Sequence, residues 1–287
     1  MPVFDNNREI DFEIVFFDLE TGGFAYEDDI LQIGLRYQEK WEGIYVTPTK
    51  RISPSASEVH NLTNIGEELF FHGIQIPSVP LQAALKKTLD FLLTTNKPCV
   101  LVAHNVNFDS TRLINALLKT GQIEEFSKII FGFVDTLPLF RNMLNRQNNC
   151  SLGFLAKEAN IKACGAHDAL ADVLILQKLI KHHQISDEQL LSQVSQFNYE
   201  VSKQIAKNHA RMILKTLSPL EGTVSEGMMN KMAAAGIDFP TIIDTYITLG
   251  EDGIYMLFTE LVTEKPRVTK SRRIINSVTS FLQNIIT

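Results

Sequence analysis

The stretch EIVFFDLETGG, residues 13–23, runs a block of apolar side chains into two carboxylates and stops on paired glycines. Apolar residues at both odd and even positions predict a strand over Phe12 to Leu19 that is buried on both faces at the centre of a sheet. Asp18 and Glu20 are two apart, so a strand sends both side chains to the same face. Charge at the end of such a strand costs burial energy unless something coordinates it.

Working outward, Ile30 to Tyr37 and Gly43 to Thr49 predict two further strands, joined by a turn around Glu39 to Glu42, which makes a three-stranded meander. Helical spacing over Leu81 to Thr94, a short apolar strand at Cys99 to Ala103 and a helix from Phe108 to Lys119 follow. A strand at Ile129 to Val134 precedes helical stretches near Pro138 to Leu144, Ser151 to Ala159 and Asp168 to His183. Strands first and then alternating helices and strands indicate an α/β layer architecture with a mixed, partly parallel sheet. After about His183 the strand signals fade. The expected division is therefore residues 1–185 as one domain and 186–287 as a mostly helical C-terminal region.

Two more segments carry acids at the edge of regular elements. Asp109 lies in LVAHNVNFDS, where a strand gives way to a helix, and Asp172 lies in AHDALADV, five residues after His167. Asp168 is placed to cap a helix with Asp172 in its first turn. If the fold gathers Asp18, Glu20, Asp109 and Asp172, their like charges resist joint ionisation unless a cation holds them. A pair of hard divalent ions, Mg2+ or Mn2+, suits such a site and the in-line hydrolysis of a phosphodiester. An imidazole titrating near neutrality, that of His167, suits a general base there.

The order D-x-E, then D, then H-x4-D resembles the DEDDh, or DnaQ-like, 3′→5′ exonucleases, over roughly the first two thirds of the chain. That resemblance implies a ribonuclease H-like mixed five-stranded sheet flanked by helices. It also implies a metal-dependent exonuclease that releases 5′-mononucleotides. Asp18, Glu20, Asp109 and Asp172 would be the metal ligands and, with His167, the catalytic set. Thr21, Gly22, Gly23 and Phe24 follow the first motif, where glycine amides can approach a terminal nucleotide and an aromatic can wedge against its base. His60, in ISPSASEVHNLTN (residues 52–64), resembles the V-H-x-[IL]-T segment of proofreading members and is expected to help position the substrate end. Asn105 belongs to an H-N-x-x-F-D pattern and is expected to order the site; His104, beside it, is the weaker candidate. Asp135, in FGFVDT, is expected to brace structure rather than bind metal.

Beyond residue 220, the run from Val224 to Glu260 resembles exonucleases related to the exonuclease-like C-terminal part of the promyelocytic leukaemia protein. Its marks are A-x-A-G-I at 233–237, with Gly236 as a helix stop, and G-E-D-G-I at 250–254. This narrower resemblance implies a preference for single-stranded DNA with a free 3′ end. RNA trimming, or a catalytically silent nucleic-acid- or protein-binding module on the same scaffold, stays open as an alternative. The only dense basic cluster read in this region is Lys265, Arg267, Lys270, Arg272 and Arg273, which is either a backbone track or a solvated segment.

The 287 residues carry a formal net charge of −6, which argues against a broad duplex-coating surface. No run of about 18 apolar residues offers a membrane span, and the N-terminal residues lack a signal-peptide layout, so an intracellular setting, cytoplasmic or nuclear, is expected. Cys99, Cys150 and Cys164 form no C-x-x-C pair, which points to reduced, packed thiols rather than a zinc site or disulfide framework.

Overall fold

A computed structural model of the protein describes residues 11–162 and 168–286. The chain begins with strands β1 (Glu13–Thr21), β2 (Ile30–Tyr37) and β3 (Lys40–Tyr45). Helix α1 (Pro54–His60) leads into β4 (Leu62–Ile65), β5 (Glu68–Phe71) and β6 (Ile74–Ile76). Then come α2 (Leu81–Leu93), β7 (Cys99–Ala103), α3 (Asn107–Thr120), α4 (Ile123–Ser127), β8 (Ile130–Asp135), α5 (Thr136–Met143), α6 (Leu152–Glu158) and α7 (Ala169–His182). Helix α8 (Asp187–Leu191), β9 (Ser195–Gln196) and α9 (Phe197–Thr216) follow, and a 3-10 turn at Ser218–Leu220 closes this stretch. The remainder is α10 (Glu226–Ala234), α11 (Phe239–Thr259), the short pair β10 (Leu261–Val262) and β11 (Lys265–Pro266), and α12 (Arg272–Ile286).

The main sheet has the order β3-β2-β1-β7-β8-β9. Its first three strands are an antiparallel meander, whereas β1, β7 and β8 run parallel, which makes the sheet mixed as the sequence predicts. Two differences have plain causes. The hairpin between β2 and β3 is tighter than expected: Tyr37 pairs with Lys40, and Gln38 takes a left-handed φ of 53°, so β3 starts before Gly43. The two-residue β9 adds a sixth strand on β8, and is too short to leave any periodic trace. A separate sheet, β4-β5-β6, was not foreseen, because strands of three or four residues with exposed Ile65 and Ile74 show no alternation to read.

Side-chain alternation along β1 divides the core into two layers. Val15, Phe17 and Leu19 pack with Leu113, Ile114 and Leu117 of α3, while Phe16 packs with Val173, Leu176 and Leu179 of α7 on the opposite side. Strand β7 is buried along its whole length and serves both layers, Leu101 to one side and Val100 and Val102 to the other. Asp18 and Glu20 share the parity of Phe16, so the pleat aims them at the α7 layer.

The chain forms two compact units, Met1–Val201 and Ser202–Thr287. In the second, Leu217, Met232, Ile242, Ile254, Phe258, Val278 and Leu282 form its own core. Gly236, at a φ of 72°, follows the end of α10 in the way the sequence suggests, and Gly250 (φ 61°, ψ −149°) kinks α11. No helix among the described residues is long and apolar enough to cross a membrane. Cys99 and Cys150 are buried free thiols, and Cys164 lies outside the described residues.

Candidate active site

Three of the expected acids meet. Asp18, Glu20 and Asp172 each present a carboxylate oxygen within 4.8 Å of the others. Asp109, 3% exposed in the first turn of α3, lines the same cleft of about 250 Å³, and its Oδ1 accepts the Leu19 amide at 3.1 Å. That bond ties α3 to β1 across ninety residues of sequence and fixes the height of Asp109 against the strand.

Asp172 is delivered by a capped helix. Asp168 Oδ1 accepts from the amides of Leu170 and Ala171, both at 3.1 Å, as the sequence predicts for an N-cap. The cap is itself held by β2: Gln32 Nε2 donates to Asp168 Oδ2 at 2.9 Å, and Gln32 Oε1 accepts the Ala169 amide at 3.0 Å. Tyr45 donates its hydroxyl to the same Oδ2 at 3.2 Å. Sheet register explains the coincidence, since Gln32 stands opposite Glu20 and Gly34 opposite Asp18. Gly34 has to be glycine: a Cβ there would sit 2.4 Å from the carbonyl of Ala169. Gln32, Gly34 and Tyr45 were missed by sequence reasoning. A glutamine and a glycine among the apolar residues at the start of β2 were the available signal.

Burial, and then mutual crowding, holds protons on Asp18, Glu20 and Asp109. Asp18 is pushed well above the ordinary aspartate range, by burial first and then by the charges of Asp109, Asp172, Glu20 and Asp168. Glu20 rises to about 9, again through burial and then Asp172 and Asp109. Asp109 rises to about 8 through burial, against the lowering effect of the Leu19 amide. A half-buried set of carboxylate oxygens that cannot all ionise alone is the donor set that hard divalent cations satisfy.

The remaining expected residues take distinct places. Thr21 Oγ1 donates to the Gly23 carbonyl at 2.8 Å, and the Gly22 amide is already given to the Asp29 carbonyl at 2.9 Å, so Gly22 shapes the loop instead of offering its N–H to a nucleotide. Gly23 lies so close to Asp28 that a Cβ would sit 2.4 Å from its Oδ2. Phe24 stands 77% exposed on the rim, edge-on to Phe108 at 6.3 Å. Arg112 stacks on the Phe108 ring and donates to the Phe24 carbonyl at 3.2 Å, which pins the loop to α3.

His60 lines the cleft with both nitrogens engaged: Nδ1 accepts the Leu62 amide at 3.1 Å, so Nε2 carries the proton and donates to the Thr21 carbonyl at 3.0 Å. It anchors the end of β1. Asn105 also lines the cleft, in a left-handed conformation (φ 67°), and its amide donates to Asp135 Oδ1 at 2.9 Å. Asp135 caps α5 through the Leu137 amide, a bracing role. His104 donates from Nε2 to the Cys150 carbonyl at 2.6 Å, and burial lowers its pKa. His167 lies outside the described residues.

The RNase T exonuclease family model matches residues 15–180, more than half of the chain, and spans Asp18, Glu20, Asp109 and Asp172. The chain belongs to the RNase T exonuclease family. A second model, for the C-terminal domain of the promyelocytic leukaemia protein, matches residues 213–285. This family member is 30% identical over 172 residues to a PolC-type DNA polymerase III of Caldanaerobacter subterraneus subsp. tengcongensis, an alignment covering 58% of this chain and 11% of that protein. It is 27% identical over 191 residues to the 3′-5′ exonuclease DinG of Staphylococcus epidermidis, covering 66% of this chain and 20% of that one. The chain thus spans a fifth or less of the length of these two curated relatives. The E. coli exonuclease I–single-stranded DNA complex in its zinc-bound form shares the fold, with a TM-score of 0.51 at 18% identity over 73% of this chain and 45% of that one.

Proposed function

We propose that this RNase T family member is a metal-dependent 3′→5′ exonuclease that releases 5′-mononucleotides, with single-stranded DNA as its preferred substrate. The observation that carries the reading is the convergence of Asp18, Glu20 and Asp172 within 4.8 Å at the floor of an open cleft that Asp109 also lines. Two Mg2+ or Mn2+ ions bound there would lower the pKa of an attacking water and neutralise charge on the departing 3′ oxygen. Asp18, Glu20 and Asp172 would hold them, with Asp109 contributing the oxygen that the Leu19 amide does not take. His167 takes the proton from the attacking water.

Specificity for a strand end comes from the rim. Phe24 is exposed enough to lie against the last base, and Phe108 backs it, so a base can stack there without sequence preference. The loop from Thr21 to Gly23 closes one side of the cleft, which favours a terminus over a continuous strand. We assign the catalytic region to residues 1–185.

Incubating the protein with 5′-labelled single-stranded DNA and Mg2+, and with an RNA of the same sequence, tests the reading. The expected outcome is stepwise shortening of the DNA with 5′-mononucleotides as product, and slower loss of the RNA. Faster RNA loss would move the substrate class to RNA. Binding without any shortening would leave a silent module.

A further inference from the structure

Charge is divided unevenly along the chain. Residues 1–201 hold 17 lysines and arginines against 25 acids, and residues 202–287 hold ten against eight. Much of the positive charge of the second unit lies on α9, where Lys203, Lys207, Arg211 and Lys215 recur every four residues and all are exposed. From Val201 to Leu220 there is no aspartate or glutamate. Lys207, Arg211 and Lys215 therefore have no acid three or four positions away on the helix, the spacing at which a solvated helix ordinarily pairs its lysines. Instead each has another cation at four. A helix that accepts such repulsion is matched to an external polyanion.

We infer that this face of α9 is a binding track for the phosphate backbone of a nucleic-acid strand, separate from the acidic cleft. Four residues of helix advance about 6 Å, so the charges form a ladder about 18 Å long, a regular spacing that suits a repeating phosphate chain. The opposite sides of α9 are already used. Ile213 and Leu217 are buried in the core of the second unit, with Ala210 and Leu214 packed against it. A membrane-seeking helix would keep a continuous apolar face beside its cations, and here that face is spent. The exposed Ile205 and Met212 are isolated. The inference rests on the proposed function only in taking nucleic acid as the ligand; it needs no catalysis.

The test measures binding of a fluorescein-labelled oligothymidylate in EDTA, where no hydrolysis occurs, across a salt series. The variant K203Q/K207Q/R211Q/K215Q should bind about tenfold more weakly at low salt, and its salt slope should flatten by roughly 0.7 for each phosphate that the variant no longer neutralises. K207Q/K215Q should fall between it and the parent, and K203R/K207R/K215R should bind as the parent does. Hydrolysis of the p-nitrophenyl ester of thymidine 5′-monophosphate, too small to reach a track, should be equal in the parent and all three variants. Unchanged affinity and slope in the Gln variants would overturn the inference. So would equal weakening in the Arg variant, or α9-dependent binding to phosphatidylserine vesicles without binding to the oligonucleotide. Failure of every form to hydrolyse the ester would instead count against the proposed function and leave the binding result standing.

Discussion

Asp18 and Glu20 were legible in the sequence because two acids at the end of an apolar strand are too costly to be incidental. Their raised pKa values have a consequence for stability. Glu20, at about 9 in the fold against 4.5 ordinarily, holds its proton in the folded chain over a range where the unfolded chain has lost it. Its contribution to stability is therefore complete below about pH 4.5 and declines as pH rises toward 9. Glu20→Gln should raise the melting temperature of the EDTA-treated protein at pH 8 by a few degrees while leaving it nearly unchanged at pH 4. Calorimetry at the two pH values checks the sign. The same substitution, like Asp18→Asn, should lower exonuclease turnover about a thousandfold or more, measured as mononucleotide release. His167→Ala should lose about a hundredfold to ten-thousandfold in turnover while Mn2+ still binds by titration calorimetry, the pattern of a lost general base and not of a lost ligand.

At the scale of elements, the N-terminus of α7 decides where Asp172 stands, and it is held by β2 rather than by its own sequence. The cap at Asp168 could be read from the chain. The clamp by Gln32 and Tyr45 and the close approach at Gly34 could not, because they depend on a register between segments more than 120 residues apart. Asp168→Ala removes a cap and the acceptor of two further side chains, and should cost about 1 to 2 kcal/mol in denaturant unfolding. Gly34→Ala forces a methyl group against the Ala169 backbone and should cost about 1 to 3 kcal/mol. Because that methyl displaces the start of α7 from Asp18, its Mn2+ affinity should fall with its stability. An unchanged affinity would show that α7 does not set the site. The small sheet β4-β5-β6 and the strand β9 left no readable signal for a related reason: their few residues pair through backbone bonds, with too little buried side chain to impose a period.

For the molecule as a whole, the mixed, partly parallel sheet flanked by helices was legible in apolar runs and their spacing, whereas the order of its strands came only with the structure. The metal-free protein as a whole should lose thermal stability between about pH 5 and pH 9 as its buried acids are forced to ionise, and Mg2+ should restore it most at the alkaline end. Anomalous diffraction from crystals soaked in Mn2+ tests most directly whether these acids are gathered to hold cations. The account predicts two peaks about 3.5 to 4 Å apart in contact with Asp18, Glu20, Asp109 and Asp172. Manganese bound elsewhere, or no peak at these carboxylates in crystals that bind it at other sites, would contradict it.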